Sequence, residues 1–113
     1  ISPRSTDAVL KAGMTITDEP GYYEDGKFGI RIENVLLIRE AKTECNFGSV
    51  GYLTFENITM VPIQKKLIKT SLMSKEDIEW IDEFHQEVWE KVSPLLTDAK
   101  VKDWLKKETS PLK

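Results

Sequence analysis

The chain has 113 residues, 16 of them basic and 19 acidic, for a net charge of −3. That balance gives no electrostatic case for nucleic-acid binding, and no run approaches the ~20 apolar residues that span a membrane. The one cysteine, Cys45, excludes an internal disulfide and suits a reducing compartment.

The chain begins at Ile1 without a methionine and reads as the C-terminal fragment of a longer protein. Residues 1–13 read as a connecting segment that ends in Ala12-Gly13, and residues 14–19 as a strand. Asp25-Gly26 is a hairpin signal. Gly26 lies midway between Glu19 and Glu33, so a hairpin folded there sets the two carboxylates opposite each other. Facing residues on paired strands have Cβ atoms ~5 Å apart. Like charges that close repel unless a cation sits between them or one is protonated.

A long strand is expected from about Phe28 to Arg39. Its apolar residues fall on both parities, which predicts cover on both faces. A carboxylate there is costly to bury unless it is paired or bound to metal. Strand alternation puts Arg31 on the face of Glu33, where it can orient a carboxylate. The residues alone leave two readings: a metal or shared-proton site, or an Arg-Glu pair in an ordinary strand. Glu19, Arg31 and Glu33 on one hairpin favour the site.

Residues 40–51, with Asn46, Gly48, Ser49 and Gly51, read as a loop or hairpin tip. Tyr52 to Val61 reads as a third strand that fades by Lys65-Lys66. From Ser74 the period changes. Ser74 is a good N-cap with Glu76 and Asp77 behind it, and Ile78, Ile81, Phe84, Val88 and Val92 mark an amphipathic helix. Ser93-Pro94 ends it. A second helix is expected from about Asp98 to Glu108, with Val101, Trp104 and Leu105 on one face.

Other residues read more plainly. His85 shares no metal-type spacing with a carboxylate or thiol and reads as a partly buried helix residue. Trp80, Trp89 and Trp104 read as core or interface packing. Lys65-Lys66 and Lys106-Lys107 read as solvated charge, and Glu24, Asp25 and Glu56 as surface acids. Cys45 has no base nearby in sequence to make it a nucleophile.

Met14 to Tyr23, followed by Gly29-Ile30-Arg31-Ile32-Glu33-Asn34, resembles the last metal-binding segment of the Xaa-Pro aminopeptidases, metallopeptidases of the pita-bread fold. The similarity is strongest to the eukaryotic cytosolic aminopeptidase P type. Tyr52 to Glu56 and Val61 to Gln64 resemble the closing strand of that catalytic domain, and the helical tail its C-terminal extension. The implied fold class is α+β: the C-terminal part of a pita-bread catalytic domain of antiparallel strands, residues 1–66, then a helical extension, residues 67–113. The resemblance implies that Glu19 is a terminal ligand of one metal ion and Glu33 a bridge between two. Arg31 then lies beside the dinuclear centre, and Tyr23 lines the substrate pocket. Glu19 and Arg31 are the implied catalytic residues. Two aspartates and a histidine complete the family's ligand set. None of Asp7, Asp18, Asp25 or His85 matches them, so the fragment alone is expected to be inactive. Two divalent ions, manganese for preference, peptide substrates with proline in second position, a cytoplasmic location and a homodimer follow from the resemblance, with no nucleic-acid or membrane partner. A prolidase-type dipeptidase shares the fold and ligands. A non-catalytic pita-bread peptide- or histone-binding protein is the reading from another class.

Overall fold

The computed structural model describes residues 8–48 and 50–112. The first part of the expected connecting segment, Asp7 with it, and Ser49 in the expected loop lie outside the described residues. The chain divides into two compact units with the boundary between Thr59 and Met60.

The first unit is built of antiparallel strands: β1 (Thr15–Asp18), β2 (Gly21–Glu24), β3 (Phe28–Arg31), β4 (Asn34–Ala41) and β5 (Tyr52–Asn57). β1, β4 and β5 form one sheet in the order β1-β4-β5, and β2 and β3 form a separate ladder. The expected long strand is thus two strands. The break has a cause on the opposite side. Ile32 donates its N–H to the Pro20 carbonyl at 3.3 Å. Pro20 has no N–H to return, so the ladder loses a bond there. The register survives the break. Thr15↔Leu37 through Asp18↔Asn34 and Gly21↔Arg31 through Glu24↔Phe28 are all centred on Gly26. Gly26 takes φ 68 in the turn closed by Lys27 N–H to the Glu24 carbonyl at 3.0 Å, a conformation that favours glycine.

Burial in this unit is uneven. Ile38 is completely buried, whereas every residue of β3 is exposed, Ile30 at 41%. Cover on both faces therefore does not extend over β3 among the described residues. β5 ends at Asn57, before the expected Val61. There the Asn57 side chain accepts from Thr59 N–H at 3.0 Å and turns the chain, while Thr59 Oγ1 accepts from Val35 N–H at 2.8 Å.

The second unit is helical. α1 (Lys75–Val92) opens on a reciprocal cap: Asp77 N–H donates to Ser74 Oγ, and Ser74 N–H donates to Asp77 Oδ2, both at 3.1 Å. A 3₁₀ turn, Ser93–Leu95, carries Pro94 and ends the helix. α2 (Ala99–Glu108) is capped by Asp98, whose Oδ1 accepts from Lys100 N–H at 2.7 Å. Phe84, Val88 and Leu105 form the core, with Met60, Ile63, Trp89, Val92 and Leu96 packed on it. On α2 only Leu105 is buried, whereas Val101 and Trp104 stay exposed. No described helix is long and apolar enough to cross a membrane.

Two residues differ from their sequence reading. His85 is fully buried, not partly, with Nε2 accepting from Ile63 N–H at 3.0 Å. Lys65 is not simply solvated. Its Nζ donates to the carbonyls of Lys107 and Ser110, both at 2.8 Å, and to Ser110 Oγ at 2.6 Å.

Candidate metal centre

The common register of the two ladders sets Glu19 across from Glu33, one rung beyond Asp18↔Asn34. Two rungs nearer the turn stands Gly21↔Arg31, and after it Tyr23↔Gly29. Alternation puts these residues on one face of the hairpin, and the contacts agree. Arg31 Nε lies 3.4 Å from Glu33 Oε2, and Arg31 Nη1 donates to the Tyr23 hydroxyl, also at 3.4 Å. The structure therefore brings together Glu19, Glu33, Arg31 and Tyr23.

The electrostatics follow from that grouping. The Glu19 carboxyl is held below the ordinary carboxylate range, first by a hydrogen bond from Thr17, then by one with Glu33, and further by the charge of Arg31. Arg31 is held above its ordinary value, first by the Tyr23 hydroxyl and then by Glu33 and Glu19. Two carboxyl groups in hydrogen-bond contact call for a proton or a cation between them. Their donors are hard oxygens, which suit a divalent ion.

The fit is to part of such a site. Among the described residues, no group of three or more His, Cys, Asp or Glu side chains is placed to hold a metal ion. His85 Nε2 is occupied by Ile63, and Cys45 is exposed and unpaired. Glu24 pairs with Lys27 at 2.8 Å and accepts from the Tyr22 hydroxyl at 2.8 Å. Glu56 pairs with Arg39. Glu24 and Glu56, two of the acids set aside in the sequence, thus have structural partners. Thr17 was not singled out in the sequence, although its place two residues before Glu19 on a strand is the signal that finds it.

Residues 1–40 match metallopeptidase family M24, and residues 51–112 match the C-terminal region of peptidase M24. The chain belongs to metallopeptidase family M24. Among its relatives is a probable Xaa-Pro aminopeptidase P of Laccaria bicolor, 59% identical over 104 residues, which are 91% of this chain and 16% of that protein. Another is aminopeptidase P1 of Lotus japonicus, 50% identical over 112 residues, 99% of this chain and 17% of the relative. The chain thus spans about a sixth of the length of these curated relatives. The X-prolyl aminopeptidase of Caenorhabditis elegans superposes with a TM-score of 0.82 at 34% identity, over 98% of this chain and 18% of that one. It is described as a cytosolic enzyme with a di-nuclear active site. The M24 chain accordingly has the expected fold class, antiparallel pita-bread strands followed by a helical C-terminal extension.

Proposed function

We propose that the protein carrying this M24 chain is a metal-dependent aminopeptidase that releases the N-terminal residue of peptides with proline in second position. The observation that carries the reading is the pairing of Glu19 with Glu33 at one register position, with Arg31 on the same face. The names of the relatives support the substrate class.

In this reading Glu19 and Glu33 are the chain's metal ligands, and further ligands come from outside the described residues. Glu19 and Glu33 would hold divalent ions there, and the chemistry such ions would supply is Lewis-acid polarisation of a carbonyl and acidification of a water. Glu19, its carboxyl held below the ordinary carboxylate range, would be the group placed to accept a proton from an attacking water. Thr17 fixes the Glu19 carboxylate by a hydrogen bond, and Arg31 pairs with Glu33 and orients its carboxylate. Tyr23 lines the pocket and steadies Arg31 through its hydroxyl. A carboxylate-rich oxygen set favours manganese. The cytoplasmic location is supported by the description of the C. elegans enzyme, and a homodimer completes the proposal.

The test is made on the full-length protein. It is expected to release the first residue from a long Xaa-Pro peptide in the presence of manganese, to hold two ions by elemental analysis and to scatter light as a dimer. Glu33→Ala is expected to lose both the activity and the metal. Cleavage confined to Xaa-Pro dipeptides overturns the aminopeptidase in favour of a prolidase. Full metal content and activity in Glu33→Ala overturn the site.

A further inference from the structure

Three glycines of the chain, Gly13, Gly26 and Gly48, take positive φ, so their backbone conformation accounts for them. Gly21 and Gly29 do not. Both lie inside strands, where glycine weakens a ladder relative to alanine and marks close approach by another group. The group that approaches them is the Tyr23 ring. A Cβ built on Gly29 would stand 2.6 Å from Tyr23 Cδ1 and 3.1 Å from Cε1. One built on Gly21 would stand 2.5 Å from the Tyr23 hydroxyl oxygen, 2.7 Å from Cζ and 2.8 Å from Cε2. The root of the ring thus lies over Gly29, its own cross-strand partner, and the tip over Gly21, the partner of Arg31. That path delivers the hydroxyl to Arg31 Nη1.

We propose that Gly21 and Gly29 are positioning residues: by withholding their side chains they open a slot in which the Tyr23 ring lies flat and presents its hydroxyl to Arg31. A side chain at Gly29 lifts the ring at its root, and one at Gly21 displaces its tip. Either change separates the hydroxyl from the guanidinium that lies against Glu33. Glycine at these positions serves space, not conformation. The consequence for catalysis rests on the function proposed above, but the slot itself does not.

The experiment uses the full-length protein in four forms: Gly29→Ala, Gly21→Ala, Tyr23→Phe and Gly29→Ala/Tyr23→Phe. Gly51→Ala is the control, because a Cβ there meets nothing within 4 Å. The first readout is the crystal structure of a glycine variant. The β2–β3 register is expected to stay, and the Tyr23 hydroxyl to leave hydrogen-bond reach of Arg31. Gly21→Ala touches only the far end of the ring, so it serves where Gly29→Ala does not fold. A hydroxyl still bonded to Arg31 in both glycine variants overturns the proposal, whatever the enzyme does. The second readout is kinetic. Loss of a group that orients a metal ligand typically costs about 10–100-fold. Gly29→Ala and Tyr23→Phe are each expected to lower kcat toward the small end of that range, with KM little changed. In the double variant the loss is expected to match the larger single one, because both remove the same contact. Multiplying losses would make the glycine a purely structural element and overturn the positioning role. A wild-type protein inactive on every Xaa-Pro peptide would sink the aminopeptidase reading and leave the slot to the crystallographic result.

Discussion

The backbone N–H of Ile63 donates to Nε2 of His85 at 3.0 Å, and that bond fixes the protonation of a fully buried imidazole. With Nε2 an acceptor, the ring proton is on Nδ1, which has no hydrogen-bond partner among the described residues. Burial, and after it the charge of Lys65, pushes the His85 pKa below its ordinary 6.5, while the charges of Asp82 and Glu108 pull the other way.

A pH dependence follows. Below about pH 6.5 the unfolded chain takes up a proton that the folded chain refuses. The contribution of neutral His85 is therefore complete above 6.5 and is lost as pH falls through its lower folded value. The protection of amides in α1 and residues 60–63, taken relative to the intrinsic exchange rate at each pH, is expected to fall between pH 7 and 5. His85→Leu is expected to lose that dependence. It also leaves the Ile63 N–H unbonded, at a typical cost of about 1–3 kcal/mol. The same pH response in His85→Leu would assign it to other groups.

Lys65 closes the end of α2. Its ammonium meets the Lys107 and Ser110 carbonyls and the Ser110 hydroxyl, at the negative end of the helix. Lys65→Met is expected to destabilise the helical unit by about 1–2 kcal/mol. The loss should appear in denaturant unfolding and concentrate in exchange at residues 106–110. Lys66→Met, one residue on, is the comparison. Equal effects at both positions would refute the cap.

How far the sequence reveals the molecule depends on sequence distance. The Glu19–Glu33 pairing was legible because one turn, centred on Gly26, sets the register of everything on either side of it. The Ser74 cap and the α1 stripe were legible because their partners lie three and four residues away. Pro20 was visible, but its effect falls on the opposite strand, so the division of the long strand into β3 and β4 was not. Lys65 and His85 meet partners 22 to 45 residues away with no periodic signal between. The Gly21–Tyr23–Gly29 slot was hidden for another reason. A sequence names a glycine without saying whether conformation or space requires it.

The three tryptophans, alike in sequence, separate in the structure. Trp89 packs on the core formed by Phe84, Val88 and Leu105. Trp80 is 53% exposed and stacks on Phe84 with ring centroids 6.0 Å apart, and Trp104 is 55% exposed. Phe84→Ala is expected to cost about 3–5 kcal/mol, as truncation of a buried aromatic does. Trp89→Ala should cost less, and Trp80→Ala and Trp104→Ala less again. Chemical denaturation of the four variants gives the order. A Trp80→Ala loss as large as that of Phe84→Ala would mean that Trp80 is buried against something beyond the described residues.

Arg31 touches two groups at once, Glu33 Oε2 through Nε and the Tyr23 hydroxyl through Nη1, each at 3.4 Å. A guanidinium does this because its donors are fixed in one plane. An ammonium carries the same charge as a single point on a flexible stem. The distinction separates two roles. If Arg31 acts by charge alone, Arg31→Lys keeps most of its effect and Arg31→Met loses it. If it acts by holding Glu33 and Tyr23 in fixed places, lysine fails nearly as badly as methionine. The two-sided contact favours the second outcome. In the full-length protein both variants are expected to lose about 10–100-fold in metal affinity or activity, with lysine nearer methionine than wild type. Metal titration followed by elemental analysis, together with kcat on an Xaa-Pro peptide, makes the comparison. An Arg31→Lys protein that binds metal and turns over like wild type would show that charge suffices and that the planar contact is incidental.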